Sequence, residues 1–284
     1  MSPQDLEVDV VMLTKNSNKP WFKRVLKAIK EEVPVHHFIV IDGYSTDGTI
    51  EVVKEFFGDK LILLRTGRPL GCARYLGMKL VDTEWFAFID SDVEILPGWF
   101  RVAKRYMQYP QIWGIEGSFW SRENKNYVMK PLLHPKKYFS WRLVLTHGIV
   151  ELYWASTSAV LLRRGVVDLV NPKFLCHLES GEDAYIAWRI IEQGYFYIKI
   201  GEMLSKHYSA PSLELSKAFR RYTGYNGIFY AIPFNAHIMW YLLTMMKNLV
   251  IRNTNEFLVR LIYLLGSLIQ FLKTDFLKRR CESL

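Results

Sequence analysis

The chain has 284 residues, 50% of them hydrophobic and 15% aromatic, which is enough for a substantial core in one large domain or two small ones. The net charge is +9, and the segment from residue 236 to the end holds seven basic and three acidic residues. Such a basic excess indicates an anionic membrane surface or substrate phosphates at least as much as nucleic acid. No aromatic–basic stacking motif or nucleic-acid fold signature occurs, so we expect no nucleic-acid partner.

The cysteines and the N-terminus favour a reducing compartment. Cys72, Cys176 and Cys281 are an odd number without CxxC spacing, so they predict neither a disulfide framework nor a zinc site. The N-terminal sequence MSPQDLEVDV lacks a basic region followed by an apolar run, and we expect no secretory signal.

Strand and helix patterns alternate over the first 108 residues. The predicted strands are 9–14, 36–42, 60–65 and 84–90, and the predicted helices are 21–32, 45–57, 69–81 and 97–108. Pro20 suits the first turn of the first helix. Apolar strands joined by helical crossovers predict a mostly parallel α/β sheet with helices on both faces.

The second half has a less regular pattern. Its predicted elements are strands at 113–120, 155–164 and 195–200 and a helix at 182–193, while the basic, turn-rich segment 121–147 is predicted to be a loop or lid.

Two apolar segments, 236–251 and 257–272, follow in the tail. Each has 16 residues, short of the roughly 20 that a membrane-spanning helix needs. We expect a helical hairpin in the membrane interface, with the closing KTDFLKRR near anionic headgroups. The alternative is packing on the globular domain or on a second subunit. These patterns divide the chain into a domain at 1–230 and a membrane-associated tail at 231–284.

Polar residues follow three of the predicted strands: Thr14–Asn16, Asp42 and Asp90–Asp92. Ligands of open α/β sheets bind beyond the carboxyl ends of the strands, so these clusters predict one composite site. On an extended strand Asp90 and Asp92 would share one side and repel each other. A divalent cation would remove the repulsion and could hold a diphosphate. The alternative is a solvated turn.

Four further residues have a functional and a structural interpretation. Asp42 is an acceptor for a nucleobase or ribose, or it belongs to turn chemistry in which Ser45 or Thr46 caps the next helix. Arg74 meets a phosphate or carboxylate, or lies on a solvated helix face. Asp183 is a general base, or a capping-box partner of Ser180. His207 is a further metal ligand, or a packed or surface histidine.

Five segments together resemble the family-2 inverting glycosyltransferases, which have a GT-A fold. They are TKNSN (14–18), VIDGYSTDGT (40–49), GRPLGCARYLGM (67–78), FIDSDVEILPGW (88–99) and GEDAYIAWRI (181–190), and the resemblance covers about residues 8–210. It implies a mostly parallel sheet flanked by helices, here followed by C-terminal apolar helices. It also implies a GDP- or UDP-linked sugar donor and a Mn²⁺ or Mg²⁺ ion.

The resemblance also implies roles for individual residues. Thr14 and Asn16 would line the nucleotide pocket and Asp42 would contact the base. Asp90 would lie at the ribose and the metal, Asp92 would bind the metal, and Asp183 would deprotonate the acceptor. Apart from the resemblance, we predict that Arg74 and Ser91 also bind the donor and that His207 is a further metal ligand. Two positions depart from the family pattern, Gly43 where an acid is usual and Tyr75 where Asn is usual, so base and phosphate contacts are expected to differ.

The predicted function is metal-dependent, inverting transfer of one hexose, mannose or glucose, to an acceptor. A Gln-x-x-Arg-Trp sequence, the mark of processive synthases, is absent. The apolar, basic tail favours a lipid-linked acceptor (a polyprenyl phosphate or lipid-linked glycan) at the cytoplasmic face of the cell membrane. The alternatives are a non-catalytic glycan- or membrane-binding protein and a nucleotidyltransferase of related fold. An oxidoreductase is excluded because no GxGxxG follows the first strand.

Overall fold

The computed structural model describes residues 6–119, 127–129, 155–208 and 225–226, with the isolated positions 261, 269, 272 and 273. Apart from these four positions, the predicted tail at 231–284 lies outside the described residues, and the predicted lid is described only at 127–129. No helix within the described part of the chain is long and apolar enough to span a membrane.

Nine of the described strands form one sheet, in the order β3-β2-β1-β4-β8-β6-β10-β5, with β7 also pairing with β10; β9 and β11 pair separately. The strands are β1 Val8–Thr14, β2 Val35–Asp42, β3 Leu61–Arg65, β4 Trp85–Ile89, β5 Val93–Ile95, β6 Ile112–Phe119, β7 Tyr127–Met129, β8 Ala159–Arg163, β9 Leu178–Ser180, β10 Phe196–His207 and β11 Tyr225–Asn226.

The main sheet is mostly parallel, as predicted. Strands β1, β2, β3 and β4 run parallel, and so do β6 and β10, whereas β8 is antiparallel to both of its neighbours. The short strands β5 and β7 are antiparallel to β10. The long apolar strand patterns explain this arrangement, because a parallel sheet is covered on both faces.

Seven described helices cover the sheet. They are α1 Phe22–Glu32, α2 Thr49–Phe57, α3 Leu70–Lys79, α4 Trp99–Met107, α5 Val166–Leu169, α6 Pro172–Leu175 and α7 Glu182–Glu192, and a 3-10 turn spans Gly58–Lys60. Side chains alternate across β4: Trp85 and Ala87 join the core with α1, α2 and α4, while Phe86 and Phe88 join the core with α3 and α5 to α7. The helices therefore form a layer on each face.

The structure corrects several predicted boundaries. Helix α1 begins at Phe22 after Trp21 as N-cap, so Pro20 precedes it. Helix α2 begins at Thr49 after Gly48, whose φ is 82°, and neither Ser45 nor Thr46 is its N-cap. Strand β5 and the short elements between β8 and α7 were not predicted, because elements of three or four residues have no distinct periodicity.

The last predicted strand, 195–200, extends to His207 in the structure. Strand β10 pairs with β6, shifts register between Ile200 and Leu204, and then pairs with β5. This extension brings His207 beside the residues that follow β4.

Candidate active site

The predicted site residues lie at the carboxyl ends of β1, β2 and β4, where α3 and the start of α7 also meet. Thr14 and Asp42 are the last residues of β1 and β2 and are register partners in the sheet. Asp90 directly follows the last residue of β4. The three polar clusters therefore lie at one edge of the sheet, where the composite site is predicted.

Asp42 holds the loop after β2 against the end of β1. Its Oδ1 accepts a hydrogen bond from Thr14 Oγ1 over 2.8 Å, and its Oδ2 accepts one from the Ser45 backbone N–H over 2.9 Å. The Ser45 hydroxyl also donates to it, and Arg65 Nε lies 3.6 Å from Oδ2. Asp42 is 0% exposed. The carboxylate braces the loop, and its contact with a nucleobase stays a prediction.

Two residues with positive φ shape the loops after β1 and β2: Asn16 at 51° and Tyr44 at 60°. Asn tolerates this region, but an aromatic residue there is strained. Hydrogen bonds fix Asn16, whose backbone N–H donates to Ser45 Oγ over 2.8 Å and whose Oδ1 accepts from Thr46 N–H over 3.0 Å. The strain therefore lies where the two loops meet, a common feature of ligand sites.

A cavity of about 270 Å³ opens beside these loops. Its apolar wall includes Leu13 and Ile41, and its rim carries Thr14, Lys15 and Arg68. Apolar walls with a few polar and cationic groups at the rim can take up a planar ring and place an anion near the cations.

Asp90 and Asp92 lie in a turn between β4 and β5, and the Val93 N–H donates to the Asp90 carbonyl over 3.0 Å. The two carboxylates consequently do not share one side of an extended strand. Asp90 Oδ1 accepts from Arg74 Nη2 over 2.8 Å, whereas Asp92 Oδ2 lies 3.3 Å from the Nε2 atom of a histidine at the end of β10. Each carboxylate has its own basic partner.

Ser91, between the two aspartates, links this turn to the loop after β1. Its hydroxyl lies 2.9 Å from Ser17 Oγ. The loops after β1, β2 and β4 are thus connected through side chains.

Arg74 connects the turn after β4 to the start of α7. Besides Asp90, it has Glu182 Oε1 3.7 Å from its Nε, and its guanidinium lies 4.7 Å from the Phe88 ring centroid. Arg74 is 3% exposed, so it does not lie on a solvated helix face. Burial opposes the charged form, but Asp90 and Glu182 raise the pKa of Arg74 above its ordinary value. The cation is therefore retained between two carboxylates.

Two glycines fix the position of α3 and hence of Arg74. A Cβ on Gly71 would lie 2.2 Å from the Leu175 carbonyl oxygen, and one on Gly77 would lie 2.5 Å from Val11 Cγ1. Both distances are far below van der Waals contact, so only glycine allows α3 to approach its neighbours this closely.

Asp183 lies in the first turn of α7, and the N-cap of this helix is Gly181, with a φ of 67° and no side-chain capping bond. The predicted capping-box alternative with Ser180 is therefore wrong. Burial, followed by the neighbouring Glu182, raises the pKa of Asp183 to about 8. Its Oδ1 accepts the Ala184 N–H over 2.8 Å. A carboxyl group with this pKa can exchange a proton near neutral pH.

His207 pairs with Asp92, which lies in the turn between β4 and β5. Its hydrogen bond with Asp92 raises its pKa above the ordinary value. The oxygen and nitrogen of this pair, 3.3 Å apart, are close enough to bind one divalent cation. Asp90 faces Arg74 instead, and metal binding by the three predicted ligands stays a prediction.

Sequence reasoning missed a buried polar group near Asp183. Glu116 Oε1 accepts from Lys199 Nζ over 2.6 Å, and Glu116 Oε2 accepts from Tyr197 Oη over 3.2 Å. Burial, and only then its charged neighbours, raises the pKa of Tyr197 well above its usual range. These residues lie on β6 and β10, and the only sequence signal for them was a charged residue, Glu116 or Lys199, inside a mostly apolar strand pattern. Glu182 was missed as well, although it adjoins Asp183 in the quoted GEDAY segment.

The glycosyl transferase family 2 pattern matches residues 9–161, which is more than half of the chain. The chain belongs to glycosyl transferase family 2. The predicted family and enzyme class are thereby confirmed, and the nucleotidyltransferase alternative is set aside. No curated protein matches the chain in sequence.

Solved glycosyltransferase structures have a similar fold. Mannosyltransferase PcManGT from Pyrobaculum calidifontis, in complex with GDP-Man and Mn²⁺, has a TM-score of 0.59 and 16% identity, covering 95% of this chain and 88% of that one. S. aureus TarS has a TM-score of 0.55 and 16% identity over 82% of this chain, which spans only 41% of the TarS chain. GalNAc-T7, with UDP, GalNAc and Mn²⁺, has a TM-score of 0.54 and 14% identity, covering 77% of this chain and 50% of that one. These similarities support the GT-A fold.

Proposed function

We propose that the chain transfers a single hexose, mannose or glucose, from a GDP- or UDP-linked donor to a lipid-linked acceptor, with inversion of the anomeric carbon. The acceptor is a polyprenyl phosphate or a lipid-linked glycan at the cytoplasmic face of the cell membrane. The donor is held with Mn²⁺ or Mg²⁺, and Asp183 is the general base.

One observation carries this proposal: Arg74 contacts both Asp90 and Glu182, at 2.8 Å and 3.7 Å. It therefore brings the turn after β4 next to the start of α7, where Asp183 lies. A donor site and a proton acceptor must be this close for direct transfer between two bound substrates.

The donor nucleoside fits the cavity at the ends of β1 and β2. Lys15 and Arg68 on its rim suit the negative charge of a diphosphate. Tyr44 follows Gly43, which lines this cavity, and it is 59% exposed, so its ring is available for stacking. PcManGT with GDP-Man and TarS with UDP support a guanosine or uridine nucleotide here.

Asp92 and His207 would hold the divalent cation, with Asp90 beside them. A cation bound there would supply Lewis-acid stabilisation of the charge that develops on the diphosphate leaving group. Both Mn²⁺ and Mg²⁺ accept oxygen ligands, and Mn²⁺ also accepts imidazole nitrogen. The Mn²⁺ complexes of PcManGT and GalNAc-T7 support this choice of ion.

When the acceptor is a lipid-linked glycan, Asp183 takes the proton of its hydroxyl, whereas a polyprenyl phosphate attacks through an ionised phosphate oxygen and needs no such base. The Asp183 pKa of about 8 makes this residue a stronger base than an ordinary carboxylate, and near neutral pH the ionised fraction of Asp183 is the form that accepts a proton. With one base and direct attack by the acceptor oxygen, the acceptor approaches from the side opposite the diphosphate, and this displacement inverts the anomeric carbon.

The acceptor and the membrane location rest on sequence. The apolar segments 236–251 and 257–272 and the closing KTDFLKRR are suited to an anionic interface. A lipid-linked acceptor at the same interface would meet the site without leaving the bilayer.

A transfer assay tests the proposal. The full chain is incubated with Mn²⁺, either GDP-mannose or UDP-glucose, and vesicles containing a lipid-linked glycan or polyprenyl phosphate, and the anomer of the product is determined by NMR. We expect one sugar per lipid, in inverted configuration, and with the glycan acceptor a rate about 10²–10⁴-fold lower in Asp183→Asn. The matched control Asp59→Asn, an exposed carboxylate distant from the site, should retain activity. A retained anomer, or unchanged activity of Asp183→Asn with the glycan acceptor, would contradict the assigned mechanism, and nucleotide binding without transfer would favour the non-catalytic alternative.

A further inference from the structure

A second cluster of ligand-type side chains lies at the opposite edge of the sheet, where β1, β2 and β4 begin. Asp9 is in β1, His36 and His37 are in β2, and Asp82 is between α3 and β4. One ligand atom from each lies within 4.8 Å of all the others. Within the described part of the chain no other group of three or more His, Cys, Asp or Glu residues is this compact. We call these four residues the amino-edge cluster.

A β-bulge brings both histidines to the cluster. The pairing of β1 with β2 shifts between Val8, opposite Val35, and Val10, opposite Phe38. Asp9 is therefore opposed by two residues, His36 and His37. Consecutive strand residues normally point to opposite faces, and a bulge is the feature that redirects one of them.

The distances between the histidine ring nitrogens and the carboxylate oxygens of the cluster are longer than those of charge-assisted hydrogen bonds. His37 Nδ1 lies 3.4 Å from Asp9 Oδ1 and 3.6 Å from Asp82 Oδ1, and His36 Nε2 lies 3.5 Å from the same Asp82 oxygen. Charge-assisted hydrogen bonds are about 2.7–2.9 Å. His37 Nδ1 is buried and has no hydrogen-bond partner among the described residues. Ligands at about 2.0–2.1 Å from a tetrahedral Zn²⁺ lie about 3.3 Å apart, close to the spacing seen here.

The ligands are already oriented by a surrounding shell. The Asp9 carboxylate accepts backbone N–H bonds from His37 over 3.0 Å, Asp82 over 2.8 Å and Thr83 over 3.1 Å. His36 Nδ1 lies 3.2 Å from Glu7 Oε2, which leaves Nε2 facing the cluster. A carboxylate on the outer nitrogen of a metal-binding histidine is the usual second-shell arrangement.

We propose that the amino-edge cluster is a site for Zn²⁺ or a closely similar divalent transition metal, separate from the donor site. Two imidazole nitrogens and two carboxylate oxygens favour zinc over Mg²⁺ or Ca²⁺, which prefer oxygen ligands alone. The ion would link the starts of β1 and β2 to the segment between α3 and β4, in which Asp82 lies. Since the unfolded chain does not hold these ligands together, binding would stabilise the folded state.

Zinc titration of the full, untagged chain after EDTA treatment tests this proposal, with heat and stoichiometry as the readout. We expect one Zn²⁺ per chain at this site. His36→Gln and Asp82→Asn each remove a ligand and should weaken binding by more than about 100-fold, whereas Glu7→Gln removes only an outer partner and should weaken it by about 10- to 100-fold. His177→Gln and Asp59→Asn, which change exposed residues of the same types, should bind as the unaltered chain does.

In the same titration, the Asp92→Asn variant distinguishes zinc binding at the donor site from zinc binding at the amino-edge cluster. If this variant keeps the Zn²⁺ that His36→Gln and Asp82→Asn lose, the proposal stands. If zinc binding is lost with Asp92→Asn but kept in the other two, the ion belongs to the donor site and the proposal is wrong. It is equally wrong if the unaltered chain binds no zinc. The Asp82 side chain is 56% exposed, so the Asp82→Asn substitution should leave the fold intact. Its zinc binding therefore tests the proposal even if His36→Gln fails to fold.

Discussion

The two edges of the parallel sheet differ in what lies beside their carboxylates. At the carboxyl edge, Asp90 has Arg74 and Asp92 has His207 as a partner within 3.3 Å. At the amino edge, the nitrogen of His37 and the oxygens of Asp9 and Asp82 face one another at 3.4–3.6 Å without a hydrogen bond between them.

The comparison sets a fixed protein cation against a proposed metal ion. At the carboxyl edge, Arg74 lies between Asp90 and Glu182. At the amino edge, the proposed ion would lie between two imidazoles and two carboxylates. We therefore expect changes at the carboxyl edge to alter transfer and changes at the amino edge to alter metal-dependent stability.

The largest effect is expected from Asp183→Asn. Removing a general base costs typically about 10²–10⁴-fold in rate, because the acceptor hydroxyl must then lose its proton to water. The loss should appear in kcat, measured with saturating donor. Glu179→Gln, at an exposed acid three residues before α7, is the matched control and should keep its kcat. Equal losses in both variants would indicate a general effect on the fold of this segment.

Arg74→Met is expected to have the next largest effect. It leaves Asp90 and the buried Glu182 without their cation, and breaking a buried ion pair costs roughly 3–5 kcal/mol of unfolding free energy. Urea unfolding of the EDTA-treated chain measures it. Adding Glu182→Gln should recover part of the loss, because one unpaired charge is removed. Arg101→Met, on the exposed side of α4, should unfold like the unaltered chain.

A pH dependence of transfer follows from Asp183. Its pKa of about 8 means that the base is increasingly ionised as the pH rises to that value. We expect kcat/KM to rise by up to about tenfold per pH unit below it and to level off above it. A flat profile across this range would contradict the role of Asp183 as the base.

Stability should change in the opposite direction. The folded-state pKa of Asp183 is raised from 3.8 to about 8, so the folded chain binds the proton more tightly than the unfolded chain. This contribution to stability is fully present below the unfolded value and is lost as the pH rises through about 8. As the pH rises from 3.8 to about 8, the melting temperature of the unaltered chain should therefore fall relative to that of Asp183→Asn.

The smallest effect is expected from Asp82→Asn. In the presence of EDTA, replacing this exposed carboxylate should change the free energy of unfolding by no more than about 0.5 kcal/mol, and the rate of transfer should be unaltered. Transfer assays and urea unfolding with chelator measure both. A large loss of transfer in this variant would show that the two edges are coupled.

Much of the fold followed from hydrophobic patterning. The runs 9–14, 36–42 and 84–90 are apolar, bounded by turn residues and separated by helical patterns, and all three are strands of the parallel sheet. The positions of Thr14, Asp42 and Asp90 at strand ends followed from the same pattern. The local sequence pattern is enough to predict these positions, because whether a residue lies at the end of a strand depends on the sequence of that strand alone.

Features that depend on distant contacts were not predictable. The sequence left open whether the two aspartates share one side of a strand or lie in a turn; they lie in the turn after β4, and their partners Arg74 and His207 were not foreseen. Ser45 or Thr46 was an alternative cap for the next helix, but Ser45 instead donates hydrogen bonds to Asp42. The amino-edge cluster joins residues 73 positions apart through a bulge in the β1–β2 pairing, which neither spacing nor periodicity reveals.

A thermal-unfolding panel with GDP, UDP and dTDP, each with Mn²⁺ or with EDTA, tests the central claim most directly. A ligand that binds only the folded chain adds about 2.7 kcal/mol at a hundredfold excess over its Kd. The account predicts that GDP or UDP raises the melting temperature only when Mn²⁺ is present, and that Asp92→Ala loses this shift while melting normally without ligand. No shift with any nucleotide, or an equal shift in Asp92→Ala, would contradict the proposed donor site.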